Sequence, residues 1–532
     1  MSAPEPKRPE DAAANTASDV GARGLLRHAR NYITAGAITA LAGMVTVPIL
    51  SRLLTVEEFG SLSIFQSMVS VFAIALGLNF HGALSRYYLE RTQDFPDYLR
   101  TILSFLGVVM VVELLIAYLV REPLGALFEV SGALLFAAML MSAAVTVWNL
   151  NWKLLVSKLQ SGAYAKLNAA KAVAQPTLGI ACVVALLLWQ TGGELAYADE
   201  REALPLDLHW GQIAGLLGVS TVFAVVLGRR LWAIAKQGRF HAKHLRYTLA
   251  FAIPLMPHTL SGYVLNLFDV LIINMVVGAE PAGLYSFAYA IGAIMNSVVS
   301  ATNQAWLPVF TDHRTAERYG KIARLAAGQT RYVCCFAVLI VLFSEEIAFV
   351  LADARYHTAL PLVPVVVFGY AALFLYTLYA NHSFYLRRTG LVSVATLIAG
   401  TLNIVLNFWL IPLYGIAAAA WTTLISYLSL LVLHYITARF VLREQVVPLW
   451  RVLPAYLLAA GVSAGYVLAS MALDHYWLTL VAVKLPIAAG AGYVAWRTRQ
   501  AGNEDDAGER RETEPQAREA TEPQAADEET PE

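Results

Sequence analysis

The stretch TVEEFGSLSIF at residues 55–65 returns in altered form as GAEPAGLYSFA at residues 278–288. Each stretch has an acidic residue, two further residues, and then a glycine that opens an apolar run. Each also follows a long apolar segment, so each predicts a tight hairpin between two apolar helices. The fold therefore depends on where these apolar helices lie.

Composition places them in a membrane. The chain has 532 residues, of which 58% are hydrophobic and only 14% charged, which is too apolar for an ordinary soluble protein. A helix needs roughly 20 mainly apolar residues to cross the hydrocarbon. Fourteen segments meet this requirement, and they predict an all-α polytopic membrane protein. They lie near residues 29–51, 61–80, 99–119, 130–150, 166–189, 210–232, 247–276, 283–307, 328–351, 358–383, 391–412, 416–439, 449–471 and 476–496.

Basic residues set the expected orientation, because cytoplasmic loops are enriched in Lys and Arg. With the N-terminus inside, 33 of the 38 Lys and Arg residues fall on cytoplasmic segments or their flanks. We therefore expect both termini to be cytoplasmic. Residues 501–532 hold 12 acidic residues and 3 arginines, so the zero net charge of the chain hides a basic membrane body.

Six spans separate the two hairpins, so both halves would keep the same orientation, as in parallel-repeat transporters. The alternative is that the acid-x-x-Gly pattern is a simple helix turn that recurs without duplication. Duplication predicts two six-helix lobes in parallel pseudo-repeat plus two extra helices. The expected organisation is a disordered N-terminus (1–24), an N-lobe (25–232), a C-lobe (233–440), spans 13 and 14 (441–497) and a disordered acidic tail (498–532).

Four longer motifs lie on these spans in a fixed order. They are SRLLTVEEFGSLSIFQ (51–66), DVLIINMVVGAEPAGLYSFAYAIG (269–292), AWLPVF (305–310) and NIVLNFWLIPLYGIAAAAWTT (403–423). Together they resemble landmarks of the Wzx-type polysaccharide flippases of the MOP superfamily. The resemblance covers about residues 25–440 and is less marked in the last two spans.

This resemblance implies a transporter with a central cavity, working by alternating access in a bacterial inner membrane. Its cargo would be an undecaprenyl-diphosphate-linked oligosaccharide for O-antigen (lipopolysaccharide), capsule or exopolysaccharide. The implied partners are this polyprenyl-diphosphate-linked glycan, membrane lipids, and the polysaccharide polymerase and export machinery, with no nucleic acid. No cofactor or metal is expected. The sequence has no ATP-binding motif, which leaves coupling to H⁺ or Na⁺ open.

An anionic diphosphate favours a basic cavity, and predicted span 5 offers one polar face. Asn168 and Lys171 share that face, with Lys166 just before them. Arg86 and Lys153 fall at a similar depth near the cytoplasmic mouth. We predict substrate contacts at these five residues. The alternative is that lysines at inner helix ends only set topology and snorkel to the interface.

Arg52 is one of the few basic residues on the predicted outer side, at the end of span 1. It could meet the diphosphate late in the transport cycle. Equally, it could pair with Glu57 or Glu58 in the hairpin.

Coupling or gating is predicted in span 7, where a deep acid is a functional candidate. Asp269 shares a face with His258, and a titrating pair could couple transport to protons. The alternative is that Asp269 holds a basic neighbour. Pro254 and Pro257 remove two backbone donors, so the helix is expected to kink and to bend during transport.

Polar residues inside other spans have a simpler interpretation. Asn403 and Asn407 are typical of hydrogen bonds between helices, although sugar contact is also open to them.

Catalysis has no support in the sequence. It contains no Walker loop, GxGxxG or HExxH motif, and the GxSxG match at 461–465 lies inside an apolar helix. A MurJ-like lipid II flippase and a cation-coupled MATE-like exporter remain alternatives. A membrane glycosyltransferase or polymerase is disfavoured, because the longest outer loop, about 190–209, is short.

Overall fold

A computed structural model describes residues 22–90, 93–194, 204–472, 480–498 and 500 of the chain. Helices make up nearly all of this part, and no strand occurs within it. The all-α class is therefore confirmed. A helix satisfies its own backbone hydrogen bonds, which is why long apolar segments adopt it in hydrocarbon.

The helices are joined by short connections. In chain order they are α1 (Ala22–Leu53), α2 (Val56–Gly77), α3 (Phe80–Glu90), α4 (Phe95–Leu119), α5 (Arg121–Leu127), α6 (Gly132–Ser157), α7 (Ser161–Thr191), α8 (His209–Ala235), α9 (Ala242–Val277), α10 (Ala279–Thr315), α11 (Tyr319–Leu342), α12 (Ser344–Leu351), α13 (Val363–Tyr385), α14 (Thr389–Tyr414), α15 (Ile416–Ile436), α16 (Leu449–Ala472) and α17 (485–498). A 3₁₀ segment, Ala354–Leu362, precedes α13, and π-helical turns cover Thr437–Val441 and Leu480–Lys484.

Twelve helices in the described ranges are long and apolar enough to cross a membrane. A thirteenth is counted if the bent helix α9 forms one span. These elements coincide with the first thirteen predicted spans, so the chain is a multi-pass membrane protein. The predicted span near 476–496 overlaps residues 473–479, which lie outside the described part. The total of fourteen therefore stays a prediction.

Helix α9 is bent, as its two prolines predict, but the bend lies elsewhere. Its axis turns by 63° between the segments Ala242–Tyr263 and Leu267–Val277. A proline removes the hydrogen bond to the residue four positions before it, so its direct effect falls on the preceding turn. The bend lies after Pro254 and Pro257 in the chain, so the direct effect of these prolines does not account for its position.

Two compact units make up the described chain, and each joins segments that are distant in sequence. Unit 1 comprises the described residues of Met1–Ile291, Glu345–Val366 and Thr389–Leu430; unit 2 comprises those of Gly292–Ser344, Val367–Arg388 and Leu431–Glu532. In unit 1, α7 packs on α8 and α1, and α9 packs on α14. In unit 2, α11 packs on α16. The predicted division into lobes 25–232 and 233–440 rests on a repeat in the sequence, whereas the two compact units are defined by spatial contacts. The two lobes therefore stay a prediction.

The first hairpin starts α2 with a capping box. Thr55 Oγ1 accepts a hydrogen bond from the Glu58 amide at 3.1 Å, and Glu58 Oε2 accepts one from the Thr55 amide at 2.8 Å. Glu58 Oε1 also accepts a bond from the Leu208 amide at 2.6 Å. The buried acid thus satisfies backbone donors that would otherwise lack partners at the start of a helix.

The glycines of the two hairpins pack against each other inside unit 1. A Cβ added to Gly60 would lie 1.9 Å from the Ala279 carbonyl oxygen and 2.9 Å from the Gly283 nitrogen. A Cβ added to Gly283 would lie 2.3 Å from the Val56 carbonyl oxygen and 3.0 Å from the Gly60 nitrogen. The contacts are reciprocal between equivalent positions of the two stretches. Two copies related by a two-fold axis would produce such reciprocal contacts, and the duplication itself stays a prediction.

In unit 2, a buried carboxylate joins three segments. Arg314 donates to Glu444 through Nε at 2.7 Å and Nη2 at 2.9 Å, and His382 Nδ1 lies 3.2 Å from Oε2. Burial raises the pKa of Glu444, but the bonds from Arg314 and His382 outweigh it and hold that pKa below its ordinary value. The contact fastens the loop after α15 to the ends of α10 and α13.

We expect Gly60→Ala to destabilise the protein by about 1–3 kcal/mol, because its methyl group would displace backbone that cannot rotate away. Thermal unfolding in detergent would measure this. Gly107→Ala is the matched control, since a Cβ at this helical position meets nothing within 4 Å. Equal melting temperatures for the two variants would contradict the close approach of Gly60 and Gly283.

We expect Glu444→Gln to lower stability at neutral pH by about 1.5–3 kcal/mol, through lost charge-assisted hydrogen bonds. A depressed folded pKa gives stability that is present above the unfolded pKa and lost as pH falls through the folded value. The difference from wild type should therefore shrink below pH 4.5, the ordinary pKa of this group. Melting curves from pH 7 to pH 3.5 test this. The exposed Glu317→Gln should show no such difference at any pH.

Candidate functional site

The carboxylate of Asp269 lies on α9, after the bend, and is 1% exposed. Tyr285 of α10 donates to Oδ2 at 2.7 Å, and Asn407 of α14 donates to Oδ1 at 2.6 Å. Thr423 of α15 also donates to Oδ2. These three donors are neutral, and they stabilise the carboxylate through hydrogen bonds. The predicted alternative, in which Asp269 holds a basic neighbour, stays a prediction. Four membrane helices thus meet at one acid.

Further polar atoms extend this arrangement, here named the Asp269 cluster: Asp269, Tyr285, Asn403, Asn407, Thr422 and Thr423. Asn403 Oδ1 accepts a bond from Asn407 Nδ2 at 3.2 Å, and Asn403 Nδ2 donates to Thr423 Oγ1 at 3.3 Å. Thr422 donates to Asn407 Oδ1. The prediction that Asn403 and Asn407 form hydrogen bonds between helices is confirmed. Their spacing of four places both amides on one face of α14.

The chemistry of the cluster is that of a small hard-oxygen site with one formal negative charge. Carboxylate, amide carbonyl and hydroxyl oxygens are ligands of hard cations, and a lone carboxylate can also take a proton. Among the described residues, no group of three or more His, Cys, Asp or Glu side chains could hold a metal ion.

A second polar surface lies on α6 and α7. Lys171 Nζ lies 4.4 Å from the ring centroid of Trp148, and Lys153 Nζ lies 5.2 Å from that of Trp152. Trp152 stacks on Tyr164 at 6.0 Å. We name these five residues the cation–aromatic surface. All five are half-buried, so they lie between the packed interior and open space.

The other predicted residues of α7 have different surroundings. Asn168 Nδ2 donates to Thr39 Oγ1 at 2.8 Å and to the Ala35 carbonyl at 3.2 Å, both on α1. Lys166 is exposed. Asn168 thus links two helices, while Lys166 has the exposure expected of a lysine that sets topology.

Arg86 lies on α3 beside an acid that sequence reasoning had not singled out. Its Nε lies 2.6 Å from Glu90 Oε1, and the guanidinium lies 5.2 Å from the ring centroid of Phe251 on α9. Tyr247, also on α9, donates to Glu90 Oε2 at 2.7 Å. The side chain of Arg86 is still 54% exposed, so an anion can reach it.

Arg52 lies at the end of α1, where its Nη1 donates to the Pro48 carbonyl at 2.9 Å. An acid near it is Asp353, on the segment before the 3₁₀ turn. Burial raises the pKa of Asp353, but bonds from Arg355 and the charges of Arg355 and Arg52 together hold it below its ordinary value. Arg52 therefore belongs to a small charged group that also includes an acid the sequence did not suggest.

Of the three other predicted gating residues, the structure describes the side chain of one. Pro254 is exposed on α9. The side chains of Pro257 and His258 lie outside the described part of the chain, so their relation to Asp269 stays a prediction.

Sequence reasoning missed Tyr285 and Thr423 as donors to Asp269, and Thr422 as a donor to Asn407. All three lie inside the quoted motifs, Tyr285 in the second and the two threonines at the end of the fourth. The available signal was that an acid, two asparagines and two threonines occur inside the seventh, eleventh and twelfth predicted spans. Their convergence required the packing of α9, α14 and α15.

Residues 25–314 match the family model described as polysaccharide biosynthesis protein. The chain belongs to this family. The match runs from the first span through both hairpins, and it confirms the resemblance inferred from the four motifs.

Two curated relatives cover most of the chain. It is 22% identical over 422 residues to the Lsg locus putative protein 1 of Haemophilus influenzae, covering 77% of this chain and 96% of that protein. It is 23% identical over 429 residues to the probable low-salt glycan biosynthesis flippase Agl15 of Haloferax volcanii, covering 78% and 84%.

Solved structures share the fold. The lipid II flippase MurJ in an inward closed conformation gives a TM-score of 0.64 at 12% identity, covering 88% of this chain and 98% of that one. An inward-facing multidrug resistance MATE transporter of the MOP superfamily gives 0.54 at 13% identity, covering 77% and 98%. At such identities the likeness establishes the helical architecture alone.

Proposed function

We propose that this protein is a flippase for an undecaprenyl-diphosphate-linked oligosaccharide repeat unit. It moves the repeat unit across a bacterial inner membrane, by alternating access, for the biosynthesis of a surface polysaccharide. The observation that carries the proposal is the family match over residues 25–314, joined to a helical fold shared with a lipid flippase. The glycan flippase named among its relatives supports the same class of cargo. The protein acts as a transporter and makes no covalent change to its cargo.

The cation–aromatic surface supports a cargo with a glycan and a diphosphate. Aromatic faces pack against the apolar faces of sugar rings, and Trp148, Trp152 and Tyr164 offer three such faces. Lys171 and Lys153 add two cations for phosphate oxygens. Arg86, more than half exposed on α3, supplies a further cation in unit 1.

The remaining predicted cations serve different stages in this proposal. Lys166 and Arg86 attract the diphosphate at the cytoplasmic mouth, and Arg52 meets it at the outer end. Asn168 supports α7 through its bonds to α1. In this proposal both termini lie in the cytoplasm, and the polysaccharide polymerase and export machinery are partners of the flippase.

Coupling to H⁺ or Na⁺ takes place in this proposal at the Asp269 cluster. Asp269 is bonded to three other helices by neutral donors, so neutralising its charge would weaken contacts with all of them together. The bend in α9 lies directly before it, and provides a point where the helix can change direction. His258, Pro254 and Pro257 lie on the other side of that bend.

We expect the double variant Arg86→Ala, Lys171→Ala to retain less cargo than wild type, because two phosphate contacts are lost. Native mass spectrometry of the full chain in mild detergent should show a polyprenyl-diphosphate glycan on wild type and at least tenfold less on the variant. Lys236→Ala, which removes an exposed lysine at the end of α8, is the matched control.

Surface polysaccharide in a strain that carries the double variant gives a second measurement of the same proposal. Export should fall while membrane insertion and expression stay normal. Normal surface glycan at normal expression would remove Arg86 and Lys171 from the cargo path. A lipid II mass on the wild-type protein would favour a MurJ-like role, and ion-driven dye efflux without bound glycan would favour an exporter.

We expect Asp269→Asn to abolish the dependence of export on the proton or sodium gradient, because the variant cannot exchange a cation at this position. Transport into vesicles with imposed gradients measures this. Asp269→Glu should retain the dependence, and the exposed Glu57→Gln should leave it unchanged. A gradient dependence that survives in a correctly folded Asp269→Asn protein would assign coupling elsewhere.

A further inference from the structure

Unit 2 contains an apolar groove that the transport proposal does not use. It has a volume of about 880 Å³ and lies between α11, α16 and α17. Its walls include Val338 of α11, Leu458 and Val462 of α16, and Ile487 and Val494 of α17. A groove of this kind between membrane helices has the surface chemistry of hydrocarbon and is not suited to a sugar.

The groove continues into a wider chamber of about 1050 Å³ toward the first turns of α11 and α16. Arg331, Pro454, Ala455 and Thr498 line both spaces, so the two are continuous. The apolar groove therefore opens directly into this second chamber.

Charge in the combined space is strongly one-sided. Four arginines line it: Arg324, Arg331, Arg451 and Arg497. None of the described residues that line either space is acidic. Trp450 and Tyr332 lie beside these arginines, and both residue types are typical of the membrane interface. The chamber thus offers the guanidinium groups of Arg331, Arg451 and Arg497 to an anion, next to an apolar channel.

The position of Arg331 explains why an anion is needed in this space. It lies 12 residues after the first residue of α11, about 18 Å along the helix axis, and it is exposed within a candidate membrane span. Its side chain donates to the Ala327 carbonyl of its own helix at 3.3 Å, which does not neutralise its charge. A guanidinium at this position is costly in hydrocarbon unless water or an anion accompanies it.

The depth of the groove indicates the size of the occupant. From Arg331 to Val338 the wall extends about 10 Å, and from Pro454 to Val462 about 12 Å, at 1.5 Å per helical residue. One leaflet of a bilayer is about 15 Å deep. The groove therefore matches the depth of acyl chains in one leaflet.

We propose that this groove binds an anionic diacyl phospholipid of the inner leaflet. Its phosphate lies against Arg331 and Arg451, and its acyl chains lie between α11, α16 and α17. The predicted orientation places these arginines on the cytoplasmic side, where basic pockets between membrane helices bind anionic headgroups. Residues 501–532 are acidic but have little apolar content, so they do not match the channel. The proposal does not depend on the transported cargo.

The test uses the full chain, purified and stripped of lipid, in mixed micelles. Dioleoyl phosphatidylglycerol should raise the apparent Tm of wild type, while the same amount of dioleoyl phosphatidylcholine should not. In the double variant Arg331→Gln, Arg451→Gln, the phosphatidylglycerol concentration that gives half of the rise should increase about tenfold or more. The matched control is Arg388→Gln, Arg439→Gln, which removes two exposed arginines of unit 2 outside the groove and should behave as wild type.

Three outcomes would overturn the proposal. Equal stabilisation by the two phospholipids would show that charge is not recognised. Equal stabilisation by inorganic pyrophosphate would show a simple anion site, and stabilisation by a polyprenyl diphosphate alone would assign the groove to the cargo. If the double variant does not fold, Arg331→Lys, Arg451→Lys and the wild-type comparison of lipids still decide, because the lysine variant retains the charge and should retain a preference for phosphatidylglycerol.

Discussion

A carboxylate buried among membrane helices needs hydrogen-bond donors close by, since neither water nor lipid supplies them there. Asp269 meets this need with donors from α10, α14 and α15, while it lies on α9 itself. Each of these helices is apolar over most of its length, and lipid competes well for apolar contacts. The polar contacts therefore specify which helices meet and at what depth. The meeting of α9, α10, α14 and α15 therefore centres on this one acid.

Close backbone approach is the second organising feature. Gly60 and Gly283 bring α2 and α10 so near that a methyl group has no room at either position. Small residues at such contacts replace the hydrophobic driving force that is absent between helices in lipid. A second acid of the first hairpin has a separate role, because Glu58 caps α2 and accepts a bond from the Leu208 amide. One short motif thus starts a helix, allows a close contact and fastens a loop.

Cations in this protein have three distinct environments. Lys171 and Lys153 lie against aromatic rings on a half-buried surface, which suits contact with a ligand. Arg314 is paired with Glu444, which gives it a structural role in unit 2. Arg331 lies next to an apolar groove whose described lining is free of acids. The same residue types therefore serve recognition, stability and contact with the bilayer, and the neighbours of each decide which.

The sequence by itself determined the membrane class, the thirteen spans that the structure describes and the family, because apolar length, basic-residue bias and motif order are properties of the linear chain. It also identified Asp269 as a costly acid in hydrocarbon, and Asn403 and Asn407 as residues that form hydrogen bonds between helices. Only the tertiary structure decided that these three form one cluster with Tyr285 and Thr423, that Arg86 shares Glu90 with Tyr247, and that α9 bends beyond its prolines. Partners that are distant in sequence meet only when the helices pack. The periodicity of the sequence shows which face of a helix is polar, but it does not show which other helix that face contacts.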